Sequence, residues 1–194
     1  SDSNPELDRA VRLNLPVMSY FQVLGQMMQG KRGVAIAGTH GKSTVSAMTA
    51  EIFLAANLDP TIVYGAEPLV RNSSGGHSGS SDLMLVEACE YRANFLQLRP
   101  LHAVITGIEP DHFDCYRSER ELEHAFALFV RNVPPEGLVV ARHGCPATRR
   151  ATSGGRCPVE TFGLQPESDW SAEILDCRNA RYAFQIRCHG REYA

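Results

Sequence analysis

Gly33-Val34-Ala35-Ile36-Ala37-Gly38-Thr39-His40-Gly41-Lys42-Ser43-Thr44 is the stretch from which the rest of the chain is read. Its first half, Val34 to Ala37, is a short apolar run bounded by glycine, the pattern of a buried strand. After Gly41, the residues Val45, Met48, Ile52 and Ala56 recur at helical spacing and predict a helix with these four as its apolar stripe. A buried strand feeding a helix is the first unit of an α/β fold. At the junction, glycines let backbone N–H groups close around phosphate oxygens, and the helix N-terminus supplies partial positive charge. Lys42 adds a full charge, and the Ser43 hydroxyl can hold Mg²⁺. The candidate nucleotide-binding residues are therefore Gly38, Thr39, His40, Gly41, Lys42, Ser43 and Thr44, with the His40 side chain read as filling the turn. The full phosphate-loop pattern would need glycine five residues before Gly41, where Ile36 stands, so this loop is a shortened one. The competing reading is a glycine turn with a surface lysine. Placement between strand and helix favours the phosphate loop.

Working outward, the alternation continues. Thr61 to Tyr64, Leu83 to Val86, Ala103 to Thr106 and Gly137 to Ala141 read as strands, and continuous apolar runs suit strands covered on both faces of a parallel sheet. Arg71 to Ser81 is a Gly/Ser-rich loop, and Tyr91 to Leu98 a short helix. Ser118 with Glu121 makes a capping-box pattern that opens a helix with Leu122, Phe126, Phe129 and Val130 facing inward, ended by Pro134-Pro135. Toward the N-terminus, residues 1 to 16 are polar, and Val17, Phe21, Leu24 and Met28 recur at helical spacing before Gly30. Near the C-terminus, Tyr182, Phe184, Ile186 and Cys188 alternate with Ala183, Gln185 and Arg187 beyond a turn near Asn179, the pattern of a hairpin. The fold expected is α/β, a mostly parallel sheet flanked by helices, with a β-rich C-terminal segment.

In open α/β sheets ligands gather beyond the carboxyl ends of the strands. Glu87 follows Leu83 to Val86 directly, and Asp111 and His112 follow the Ala103 to Thr106 strand after a short loop, so both groups point to the rim that carries Lys42. A carboxylate and a neutral imidazole there can hold a second divalent cation as a phosphoryl group moves. The alternative is a solvated strand end for Glu87 and a loop histidine for His112. Glu90, Asp111 and Asp114 could stand behind these groups or be surface charges, and Glu90 reads as surface. Cys89 and Cys115 flank the proposed ligands, but a hard cation prefers oxygen. His77, His102, His124, His143 and His189 have no partner spacing and read as structural.

Composition narrows the classes further. Of 194 residues, 43% are hydrophobic and 21% charged, which excludes a disordered tail. No apolar run approaches the roughly 18 residues of a membrane helix, and residues 1 to 30 lack signal-peptide blocks. The default address is the cytoplasm. With 19 Lys plus Arg against 22 Asp plus Glu, the formal charge of -3 offers no general attraction to nucleic acid or anionic lipid, so any phosphate binding is local. The six cysteines show no CxxC pair and read as free thiols.

Three stretches carry a family resemblance: Gly33 to Thr44, Val86-Glu87-Ala88-Cys89-Glu90 with Phe95-Leu96, and Thr106-Gly107-Ile108-Glu109-Pro110-Asp111-His112-Phe113-Asp114-Cys115-Tyr116. Together they resemble the central domain of the Mur ligases, over residues 1 to about 141 closely and more loosely beyond. The resemblance implies that residues 1–32 are a lead-in from a preceding domain and 33–194 a central ATP-binding domain incomplete at its C-terminal end. It implies that Gly38 to Ser43 bind ATP phosphates, that Lys42 stabilises the transferred phosphoryl group, and that Ser43 holds one Mg²⁺ while Glu87 and His112 hold a second. Lys42, Glu87 and His112 are then the catalytic residues. The implied reaction joins L-alanine to UDP-N-acetylmuramate through an acyl phosphate, in peptidoglycan synthesis, with flanking N- and C-terminal domains as partners. Gly107 and Cys89 depart from the family's usual Asn and acidic residue. Sister ligases carry a modified lysine in the helix after the histidine, whereas Glu119 to Val133 has none, which favours the alanine-adding branch. A tripeptide-recycling ligase on the same UDP-sugar and a nucleotide-binding module without ligase activity are the competing readings. A GTPase is disfavoured, because no Asn-Lys-x-Asp motif occurs.

Overall fold

The computed structural model describes residues 4–66, 76–110, 115–179 and 181–193. Strand β1 (Arg32–Ala37) lies between β4 (Leu83–Glu87) and β5 (His102–Ile105) and runs parallel to both. β2 (Thr61–Val63) extends the parallel set beyond β4, while β6 (Leu138–Arg142), β7 (Val159–Gly163) and β8 (Trp170–Arg178) extend it beyond β5. β3 (Gly76–His77), β9 (Arg181–Cys188) and β10 (Arg191–Tyr193) pair antiparallel, giving one sheet in the order β10-β9-β8-β7-β6-β5-β1-β4-β2-β3. This is the α/β class that the apolar runs imply, and the hairpin turns at Asn179 (φ 50°) as expected.

The continuous apolar runs follow from burial on both faces. Ala35, Ala37, Met84, Val86, Ala103 and Ile105 face one core, shared with α2 (Tyr20–Met28), a 3₁₀ helix (Tyr91–Gln97) and α4 (Glu119–Arg131). Val34, Ile36, Leu83 and Leu85 face a second core under α3 (Lys42–Ala55). In the first core Phe95 stacks on Phe129 at 4.8 Å and meets Phe126 edge-on at 5.0 Å. Leu122, Phe126, Phe129 and Val130 of α4 all point inward, and Ser118 Oγ accepts from Glu121 N–H.

Two expectations need correction here. The buried side of α3 is Ser46 and Ala50, with Val45, Phe53 and Leu54 partly covered, while Met48 (62% exposed) and Ile52 (64%) face outward. Small residues at 46 and 50 let the helix sit close on the sheet, and the i, i+4, i+7, i+8 face they begin is poorly marked by hydrophobicity. The polar lead-in contains a helix, α1 (Pro5–Arg12), capped by Asn4 Oδ1 accepting from Glu6 N–H at 2.9 Å and started by Pro5, with no buried residue. Helix α5 (Pro146–Thr152) and β7 were not anticipated either. No helix among the described residues is long and apolar enough to cross a membrane.

Candidate active site

β1 ends at Ala37 and α3 begins at Lys42, so residues 38–41 are the whole connection. Two glycines make it possible. Gly38 has φ +138°, and a Cβ there would lie 2.1 Å from Thr106 Oγ1; Gly41, at φ +81°, is the left-handed N-cap of α3. Gly41 has no side chain to cap the helix, which leaves the first-turn N–H groups facing the rim, a ready anion-binding arrangement.

The loop is stapled to the segment after β5. Thr39 N–H donates to Gly107 O (2.9 Å), Thr39 Oγ1 donates to Glu109 O (3.1 Å), and Glu109 N–H donates back to Thr39 Oγ1 (3.0 Å). Thr106 Oγ1 donates to His40 O at 2.5 Å. Gly107, at φ +149°, therefore contributes through its carbonyl, and the departure from Asn leaves that bond intact. His40 and Thr44 are exposed.

Lys42 curls back over its own loop. Its Nζ donates to Gly38 O (2.6 Å), Thr39 O (3.1 Å) and Glu90 Oε1 (2.9 Å), which uses all three ammonium protons. Glu90 is fully buried and not a surface charge: a buried carboxylate needs charged or polar partners, and Lys42 is one of them. Its signal in the sequence was only its place three residues after Glu87. The Glu90 carbonyl accepts from Tyr116 Oη (2.5 Å) and Ala93 N–H (2.8 Å). Burial drives the Tyr116 phenol up to about 12.

Ser43 Oγ donates to Glu87 Oε1 at 2.9 Å, and Glu87 Oε2 accepts from Gly65 N–H at 2.9 Å. A hydroxyl and a carboxylate side by side at the helix start form a pair of hard oxygen donors, the chemistry that Mg²⁺ selects. Cys89 is half-buried beside this pair, and burial pushes its thiol up. The structure thus gathers Gly38, Thr39, Gly41, Lys42, Ser43 and Glu87 at one rim. His112, with Asp111 and Asp114, lies outside the described residues. All six cysteines are free thiols.

A cavity of about 850 Å³ opens along the same rim, beyond β5 to β7, with Glu109, Leu122, Arg142, Cys145, Phe162 and Trp170 in its walls. Arg142 pairs with Glu109 at 3.3 Å, linking the cavity to the segment that staples the phosphate loop.

Residues 36–193 match the family model described as the Mur ligase middle domain. The chain belongs to the Mur ligase family. Among Mur ligases it is similar to the UDP-N-acetylmuramate–L-alanine ligase of Desulfitobacterium hafniense (strain Y51), 38% identical over 190 residues that cover 97% of this chain and 41% of that protein. The ligase of the same name from Lawsonia intracellularis is 37% identical, over 98% of this chain and 42% of its own length. The chain therefore spans about two fifths of these curated relatives. Among solved Mur ligase structures, the UDP-N-acetylmuramate:L-alanyl-γ-D-glutamyl-meso-diaminopimelate ligase from Neisseria meningitides superposes with a TM-score of 0.83 at 26% identity, covering 96% of this chain and 61% of that one. The UDP-N-acetylmuramate–alanine ligase from Thermotoga maritima superposes at 0.80 with 24% identity, covering all of this chain and 43% of that one, a likeness of fold.

Proposed function

We propose that this chain is the ATP-binding middle domain of a ligase that joins L-alanine to UDP-N-acetylmuramate, with residues 1–32 as the lead-in from a preceding domain and residues 33–194 as the central domain. The carrying observation is the shortened phosphate loop with Lys42 over it and the Ser43–Glu87 pair at its helix end. The names of the relatives supply the substrates, and the cytoplasm, where both would be met, is the proposed setting.

The first-turn N–H groups of α3 and the backbone of 38–41 cradle the β- and γ-phosphates of ATP, and Lys42 offsets charge on the oxygens of the transferred group. The muramate carboxylate oxygen bonds to the γ-phosphorus as the bond to ADP breaks. The amine of L-alanine then bonds to the carbonyl carbon of the acyl phosphate, phosphate leaves with its electron pair, and the ammonium proton is lost to give the amide. One Mg²⁺ would be held by Ser43 and a second by Glu87 with His112, and when bound they would supply Lewis-acid charge stabilisation. The chain's own part is to hold the phosphates in line and keep Lys42 charged beside them.

A tripeptide acceptor is the second reading, favoured by the superposition on the Neisseria ligase; the 37–38% identity to relatives named as L-alanine ligases supports the first. The test is ADP release by the protein with its flanking domains, given UDP-N-acetylmuramate and either L-alanine or the tripeptide. Release that needs L-alanine is expected. Preference for the tripeptide, or hydrolysis indifferent to either acceptor, would sink the reading. The 194-residue chain alone should bind Mg-ATP and ligate nothing, because domain closure contributes the alignment that chemistry needs.

A further inference from the structure

The geometry points to Glu90 as a positioning residue, a fixed pivot on which Lys42 swings from the carbonyls of its own loop to a bound phosphate. The inference rests on the phosphate-loop reading above and deepens it.

The three partners of the ammonium are not equivalent. Gly38 O and Thr39 O are neutral loop carbonyls, and a lysine can leave them at little cost. Glu90 is a charged carboxylate with no exposed surface, and the lysine side chain is only 14% exposed. The bond to Glu90 is charge-assisted and made away from water, which makes it stronger than either bond to a neutral carbonyl. When a phosphate enters the loop, the ammonium therefore exchanges the two carbonyls for phosphate oxygens and keeps Glu90 Oε1.

A pivot must itself be held, and Glu90 is. Its carbonyl takes two donors, Tyr116 Oη from the far side of the segment after β5 and Ala93 N–H from its own turn. Arg92 (φ 51°) and Ala93 (φ 55°) are both in the left-handed region, unusual for residues with a side chain. Such conformations persist where the surroundings over-determine them, and they cluster at functional sites. The turn aims Glu90 inward at residue 42. Glu87, three residues earlier, is engaged by Ser43 and Gly65 instead, so the two carboxylates divide the work between cation and lysine.

The test is calorimetric binding of inorganic triphosphate to the 194-residue chain, which reads the loop without base or sugar contacts. The variants are Lys42→Gln, Glu90→Gln, Glu90→Asp and the neutral pair Lys42→Gln/Glu90→Gln, which removes both charges of the pair; thermal melting confirms that each is folded at the assay temperature. Lys42→Gln should weaken binding about tenfold, the scale of one charge-assisted hydrogen bond. Glu90→Gln and Glu90→Asp should weaken it nearly as much with Lys42 intact, and the double variant should bind no worse than Lys42→Gln alone. Wild-type or tighter binding by either Glu90 variant, or additive losses in the double variant, would overturn the pivot while leaving the phosphate loop in place. Failure of the wild-type chain to bind triphosphate, or indifference to Lys42→Gln, would overturn the phosphate-loop reading and the pivot with it.

Discussion

Lys42 and Glu90 form a buried ion pair, so neither can be changed without regard to the other. Lys42→Ala should cost up to about 3–5 kcal/mol of folding stability because it takes a cation away from the buried Glu90 carboxylate. Adding Glu90→Gln should return part of that loss, and denaturant unfolding of the single and double variants measures it. Equal stability of the two would contradict the pairing. Glycines at the loop obey a separate constraint. Gly38→Ala would combine φ +138° with a Cβ 2.1 Å from Thr106 Oγ1, whereas Gly30→Ala meets nothing within 4 Å and bears only the strain of φ +75°. The expected loss is therefore larger at 38, roughly 2–4 kcal/mol against 1–2 kcal/mol at 30. Comparable melting temperatures for the two variants would refute this. The glycines, Lys42, Ser43 and Glu87 were legible in the sequence because their spacing is local and each residue type has one use. Glu90 was not, since its partner lies 48 positions away and a charged residue is exposed by default.

At the scale of elements, the strands were legible where burial on both faces makes apolar runs, and α4 where large side chains recur at helical spacing. Helices α1 and α5 were not, because α1 buries nothing and α5 buries Thr148, Ala151 and Thr152, none of which marks an apolar stripe. The segment around β3 depends on Asp59 instead of a core. Asp59 Oδ2 accepts from Ser80 Oγ (2.6 Å) and Ser80 N–H (2.8 Å), and Oδ1 meets His77 Nε2 at 3.1 Å. These bonds, Ser80's first, lower the Asp59 carboxyl to about 2. A carboxyl depressed in the folded state stabilises it above the ordinary carboxylate range, and that stability fades as pH falls toward 2. A carbon-detected NMR titration of Asp59 should show a midpoint near 2; a midpoint near the unshifted value of 3.8 would show that the Ser80 bonds do not form in solution.

Across the whole molecule, one sheet carries both the candidate phosphate-binding rim, at β1 near its middle, and the hairpin at its far side. That single frame explains why loops distant in sequence converge: the carboxyl ends of β1, β4 and β5 share a rim because the three strands are parallel neighbours. The two outermost strands among the described residues are short, β3 with two residues and β10 with three. β10 also brings Arg191 and Glu192 to the border, and Glu192 Oε1 accepts from Arg187 Nε at 3.0 Å. Behind it, β9 is eight residues long and shows Tyr182 and Phe184 to solvent. β10 pairs with β9 over Ile186 to Cys188 only, and a short charged strand laid over part of a longer edge is a known defence against pairing with other chains. Removing residues 190–193 should therefore bare the backbone edge of Ile186 to Cys188 and increase self-association through β9, visible as a steeper concentration-dependent rise in light scattering; scattering unchanged by the deletion would refute it. β10 is, in this sense, a guard against aggregation whose worth lies in what it prevents.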